Sequence, residues 1–142
     1  MSEVEFVNSM LPIIFPRFFT ATDENMGELV ILKTGKVFDR INLKEIGFRS
    51  RTEYEGFENH FHLFDNIDRE ELPDAINIGE KISRHLLLDL YREYPNKEFI
   101  VYMNITHENS MIIRFHQIWE NELLFYDTEC QLQEETMLYE YR

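Results

Sequence analysis

Between Pro73 and Pro95 the apolar residues recur at the spacing of one helix face, and no other stretch constrains the fold as tightly. Ala75, Ile78, Ile82, Leu86 and Leu90 make the stripe, with Tyr91 and Tyr94 at its end, while Asp74, Asn77, Lys81 and Arg84 lie opposite. Asp68, Glu70 and Glu71 place acids where the helix dipole favours them, Pro73 suits an early helical position, and Pro95 stops the helix. Directly afterwards, Phe99 to Ile105 is apolar on both faces, the pattern of a central strand. A long one-sided helix beside such a strand predicts an α+β fold: an antiparallel sheet of hairpin-connected strands with the helix packed on one face.

The remaining segments fill in that sheet. His107-Glu108-Asn109-Ser110 reads as a turn and Met111 to Ile118 as the return strand, with a third strand over Glu122 to Asp127 after a turn at Glu120-Asn121. Residues 28–33 and 36–41 flank Thr34-Gly35 and predict a hairpin, although the first of them also fits a helix start. Glu53 to Phe64 alternates, with Phe57, Asn59, Phe61 and Leu63 on one side and Glu58, His60 and His62 on the other, as in a half-buried strand. A short amphipathic helix is expected over 3–11, and a helix or strand within 131–142. With 142 residues and no repeat, linker or low-complexity tract, 1–142 is expected to be a single domain.

Charge narrows the partners. The chain has 27 Asp+Glu against 14 Lys+Arg, a formal net charge of −13. Residues 1–50 hold seven acids and six bases, so nearly all the excess lies beyond Arg51. Such a surface repels nucleic acid and anionic membrane and attracts basic partners. The lone Cys130 forbids an internal disulfide and points to a reducing, cytoplasmic setting, and Asp127 and Glu129 beside it disfavour a reactive thiolate. The N-terminus lacks a basic n-region, so no secretory signal is expected, and the apolar stretch from Met10 to Phe19 is too short and too interrupted to span a membrane.

Chemistry-bearing patterns are few. On a strand, Glu58, His60 and His62 would project to one side and could converge on a metal, as the His-x-His of cupin barrels does, but no further Glu follows at the matching distance; a solvated strand face explains the spacing as well. His107 in a turn and His116 near a strand end have no nucleophile placed beside them by sequence, so surface or hydrogen-bonded histidines are the simpler reading; His85, near the helix's apolar side, reads as buried and satisfied. There is no Gly-rich phosphate loop, no GxSxG and no CxxC. A non-enzymatic protein without cofactor or metal is therefore the expectation, with a metal-dependent protein using Glu58, His60 and His62, or a small-ligand domain with its pocket between helix and sheet, as alternatives.

Two acidic runs remain. Residues 53–71 contain Glu53, Glu55, Glu58, Asp65, Asp68, Glu70 and Glu71 with Arg69 as their one base; a second run from Trp119 onward includes Glu120 and Glu122. They read either as a solubilising surface or as a patch that docks a cationic protein, with carboxylates standing where phosphates would bind and Tyr54, Trp119, Tyr126, Tyr139 or Tyr141 as anchors. The docking residues expected are Glu53, Glu55, Asp65, Asp68, Glu70 and Glu71 first, then Glu120 and Glu122. The stretch Arg114-Phe115-His116-Gln117, Trp119-Glu120-Asn121-Glu122 and Tyr126-Asp127 resembles small immunity proteins of bacterial contact-dependent and polymorphic toxin systems. The resemblance covers about 15 residues. It implies a cytoplasmic, non-enzymatic protein that binds the C-terminal catalytic domain of a cognate toxin and occludes its active site or substrate surface; the acidity of the chain adds the expectation that this toxin is basic, a nuclease.

Overall fold

The computed structural model describes residues 16–127 and 137–142; the helix expected over 3–11, Cys130 and the start of the expected C-terminal element lie outside the described residues. The chain runs β1 (Phe18–Asp23), β2 (Gly27–Leu32), α1 (Arg51–Glu58), β3 (His60–Phe64), α2 (Leu72–Glu93), β4 (Phe99–Ile105), β5 (Met111–Gln117), a 3-10 turn (Phe125–Asp127) and β6 (Met137–Tyr141). β1 and β2 form a two-stranded antiparallel sheet; the other strands form an antiparallel sheet in the order β3-β5-β4-β6. The class is α+β, with the long helix against the strands, as the periodicity predicts.

β4 is buried at every position, because both of its faces are covered. Val101, Met103 and Ile105 pack with Ala75, Leu86 and Leu90 of α2, and with Met111, Ile113 and Phe115 of β5. Ile100 and Tyr102 pack on the opposite face against Phe125. Gly79 lets the helix approach closely: a Cβ there would collide with the sulfurs of Met103 and Met111. The strand at 137–141 pairs with β4, in agreement with the C-terminal expectation.

Three expected elements are corrected. The segment at 27–32 is a strand, but it pairs backwards with β1 and not forwards across Gly35. The cause is local: the Asp23 carboxylate accepts the Asn25 and Met26 N–H groups at 2.8 and 3.1 Å, and Gly27 supplies the left-handed φ of 102° that closes the turn. Beyond it, the 39–41 segment only brushes β1 through a parallel bridge at Thr22 and Arg40. The strand expected over 53–64 is a helix followed by a short strand. Ser50 caps α1, its hydroxyl accepting the Glu53 N–H at 3.0 Å, and this overrides the apparent alternation; Phe57 is 56% exposed. The strand expected over 122–127 is instead an extended turn ending in the 3-10 segment, because Glu122 is tied to the start of α1. On α2, His85 faces solvent and pairs with Asp89 at 3.3 Å, contrary to the expected burial.

α1 joins the two sheets through side chains. Val30 and Leu32 of β2 turn their backbone groups away from β1, and α1 meets them: the Glu55 carboxylate accepts the Val30 N–H at 2.9 Å, while Asn59 accepts the Leu32 N–H and donates to the Val30 carbonyl, both at 2.8 Å. Gln117 of β5 completes the row by donating to the Glu28 carbonyl at 3.1 Å. Side chains thus stand where a third strand would pair, which satisfies a buried edge.

Candidate functional site

The link from β3 to α2 brings four carboxylates around an apolar floor. Asp65, Asp68, Glu71 and Asp74 line a cleft of about 330 Å³ whose other walls are Phe64, Asn66, Ile67, Ala75 and Ile78. The backbone explains the arrangement. A register shift between His62 and Phe64 ends β3, Asn66 takes a left-handed φ of 50°, and the Ile67 N–H bonds to the Asn109 carbonyl at 2.9 Å, which anchors the loop to the β4–β5 turn. α2 then starts with Glu71 at its N-cap and Asp74 in its first turn, where the helix dipole stabilises negative charge. All four carboxylates are exposed, Glu70 stands exposed beside them, and Ile78 is 44% exposed. A rim of charge over an apolar floor suits a partner side chain with an aliphatic stem and a cationic head.

The other predicted docking residues are placed differently. Glu55 is fully buried, so no partner can reach it, which corrects its assignment to a docking surface. Its Oε2 accepts from Val30 N–H and Gln117 Nε2 at 2.9 and 2.8 Å; its Oε1 accepts from Gln117 N–H and Trp119 Nε1 at 3.1 and 2.6 Å. Burial pushes this carboxyl up to about 7 against the pull of those donors. Glu122 is likewise engaged. It accepts from Arg51 Nε at 2.6 Å and from the Thr52 N–H at 2.9 Å, and these bonds hold its pKa below the usual carboxylate range despite its partial burial. Arg51 also lies 4.2 Å over the Trp119 ring. Glu53 is half-buried in the first turn of α1, and Glu120 is exposed. Glu53, Glu55 and Glu122 therefore lie at α1, whereas Asp65, Asp68 and Glu71 line the cleft. Of the expected anchors, Tyr54 is buried in the core around Leu29 and Leu43.

The Glu58, His60 and His62 side chains do not share one strand face. Glu58 closes α1, His60 Nδ1 is occupied by the Phe57 carbonyl at 2.7 Å, and His62 lies 3.5 Å from Asp65. Among the described residues no three His, Cys, Asp or Glu side chains are placed to hold a metal ion, which corrects the Glu58–His60–His62 alternative. His116 is wholly buried. Its Nδ1 faces the Gln117 carbonyl at 2.7 Å, so that nitrogen carries the proton, and Nε2 accepts from Tyr102 Oη at 3.0 Å and the Phe125 N–H at 3.2 Å. Burial lowers its pKa to about 4. Arg114 reinforces the same region, donating to the Gly56 carbonyl and to Tyr126 Oη and lying 4.4 Å over the Phe125 ring. The stretch that carries the immunity-protein resemblance thus acts here largely as an internal brace between α1, β5 and the 3-10 turn.

Sequence reasoning missed Asp74, Ile78, Phe64 and Ile67 as walls of the cleft. The signal was present: Asp74 and Ile78 lie one turn apart, at the start of the helix that Asp68, Glu70 and Glu71 introduce. Among the described residues no helix is long and apolar enough to cross a membrane. No family model, curated protein or solved structure matches the chain.

Proposed function

We propose that this protein is a non-enzymatic, cytoplasmic inhibitor of the immunity type, which binds a basic protein, such as a nuclease toxin domain, and blocks the surface that would hold nucleic acid. The observation that carries this reading is the cleft at the β3–α2 junction, where Asp65, Asp68, Glu71 and Asp74 surround Phe64, Ile67 and Ile78. Carboxylates set at the spacing of a loop and a first helical turn meet Lys and Arg side chains that otherwise hold phosphates, and the apolar floor adds contact that salt does not screen. The net charge of −13 steers a basic partner toward the molecule over long range. Glu120 and the exposed acids of the other run lend field more than contact.

The test is capture from host lysate at low and high salt, repeated with the Asp68→Lys/Glu71→Lys double variant. The reading requires one basic protein that binds at low salt, is lost at high salt and is lost with the double variant, and whose nuclease activity the wild-type protein suppresses. A captured partner indifferent to both salt and the double variant sinks the cleft as the docking site.

A further inference from the structure

Independently of that reading, we propose that a second copy of this chain pairs antiparallel along the outer edge of β6. The other sheet edges are dealt with in ways that β6 is not. β2 is closed by Glu55, Asn59 and Gln117, β1 is engaged at Thr22 by the 39–41 segment, and β3 is short, broken by its register shift and carries the polar His60 and His62. Among the described residues nothing pairs with the outer edge of β6, yet Met137, Leu138 and Tyr139 follow one another there at 42, 37 and 36% exposure. Edge strands normally avoid such a run, because unpaired backbone groups beside apolar side chains recruit another strand.

The charges around this edge select a second copy over a basic partner. Arg84 and Glu80 pair at 3.0 Å on the neighbouring face of α2, Arg142 and Glu140 pair at 3.6 Å at the strand end, and Arg84 lies 5.1 Å from the Tyr141 ring centroid. These two acids and two bases sum to zero in a molecule whose net charge is −13. The edge therefore offers a cationic partner little attraction, and its paired charges add little like-charge repulsion of their own between two copies.

The pairing with β4 sets the register. Ile118 N–H bonds to the Glu98 carbonyl and Thr106 N–H to Ser110, so the even residues of β4 face β5 and its odd residues face β6. In β6, Leu138 and Glu140 consequently turn their backbone groups outward. The antiparallel register that uses the whole strand sets Tyr139 against Tyr139 of the second copy, and Leu138 against its Glu140. Each Leu138–Glu140 pair exchanges two backbone bonds, and the two Leu138 side chains lie diagonally on one face.

This register makes opposite predictions for two substitutions at one exposed position. Sedimentation velocity from low micromolar to near-millimolar protein is expected to show a monomer–dimer equilibrium. Leu138→Glu sets like charges face to face and weakens dimerisation by about tenfold or more, whereas Leu138→Lys meets Glu140 and leaves it unchanged or tighter. Thermal melts of both variants at low concentration check that the monomer is intact. A protein that stays monomeric at every concentration overturns the proposal, as does a dimer that responds equally to both substitutions or to neither.

Discussion

Glu55 bonds to the backbone of Gln117, the residue after His116, and burial moves these two titratable groups in opposite directions. The Glu55 carboxyl rises from 4.5 to about 7, so its contribution to stability is fully present below pH 4.5 and is lost as pH rises through 7. The His116 imidazole falls from 6.5 to about 4, so its contribution is present above pH 6.5 and is lost as pH falls through 4. The two trends therefore oppose each other between pH 4.5 and 6.5. Substitution separates them. With Glu55→Gln, denaturant titrations are expected to show stability falling steeply from pH 6.5 to 4, because the opposing carboxyl is gone. The same variant is expected to cost about 1–3 kcal/mol at pH 7, since an amide nitrogen then faces N–H donors; unchanged stability at both pH values rejects this account. In the sequence Glu55 is indistinguishable from Asp68, another acid in an acidic run. What separates them is the helix, which sets Thr52, Glu55, Gly56 and Asn59 on one face, all four buried. That face is visible only once Ser50 is recognised as a cap.

At the scale of elements, α2, β4 and β5 were legible because their patterns agree with their surroundings: a long stripe bounded by prolines, and a strand apolar on both faces. The first hairpin and α1 were not, because short apolar runs fit either period and the deciding groups are polar side chains acting locally, Asp23 in its turn and Ser50 at its cap. The fit of α1 against the 3-10 turn gives a sharp test. Gly56 sits in a helix, where alanine is favoured by about 1 kcal/mol. A Cβ at Gly56 would nevertheless overlap the Phe125 ring, which is held between Arg114 and His116. Overpacking costs of about 1–3 kcal/mol exceed the propensity gain, so Gly56→Ala is expected to lower the melting temperature. Gly79→Ala meets the ends of two methionine side chains, which bend aside more readily, and is expected to be milder; equal effects would show that Phe125 yields as easily as a methionine.

For the whole molecule, the distribution of charge decides what stability and binding have in common. With 27 acids and 14 bases, self-repulsion opposes compaction. Monovalent salt is therefore expected to raise the melting temperature even though it screens the Arg51–Glu122 and Arg84–Glu80 pairs, since isolated surface pairs contribute little. In the proposed function, the cleft ties this background to binding. Asp68 and Glu71 carry exposed carboxylates with no cationic partner within ion-pair distance among the described residues, and Asp68 adds only a backbone bond to Glu71. Reversing both to lysine changes the net charge by +4, from −13 to −9. The fold gains from reduced repulsion and loses at the start of α2, where a cation at the N-cap position 71 opposes the helix dipole by about 0.3–1 kcal/mol, so the melting temperature is expected to move little. Association with the proposed basic partner is a different matter, because on that proposal both substitutions fall where the partner's cations would dock: affinity is expected to fall by tenfold or more and its dependence on salt to flatten, the slower on-rate carrying much of the change. The acidic excess beyond Arg51 was plain in the sequence, but the gathering of part of it at one apolar cleft was not, since that needed the register shift in β3 and the anchoring of Ile67 to the β4–β5 turn. A double variant that melts like the wild type yet binds with the same salt-sensitive affinity would move the docking surface away from α2, toward Glu120 and the acids near the start of α1.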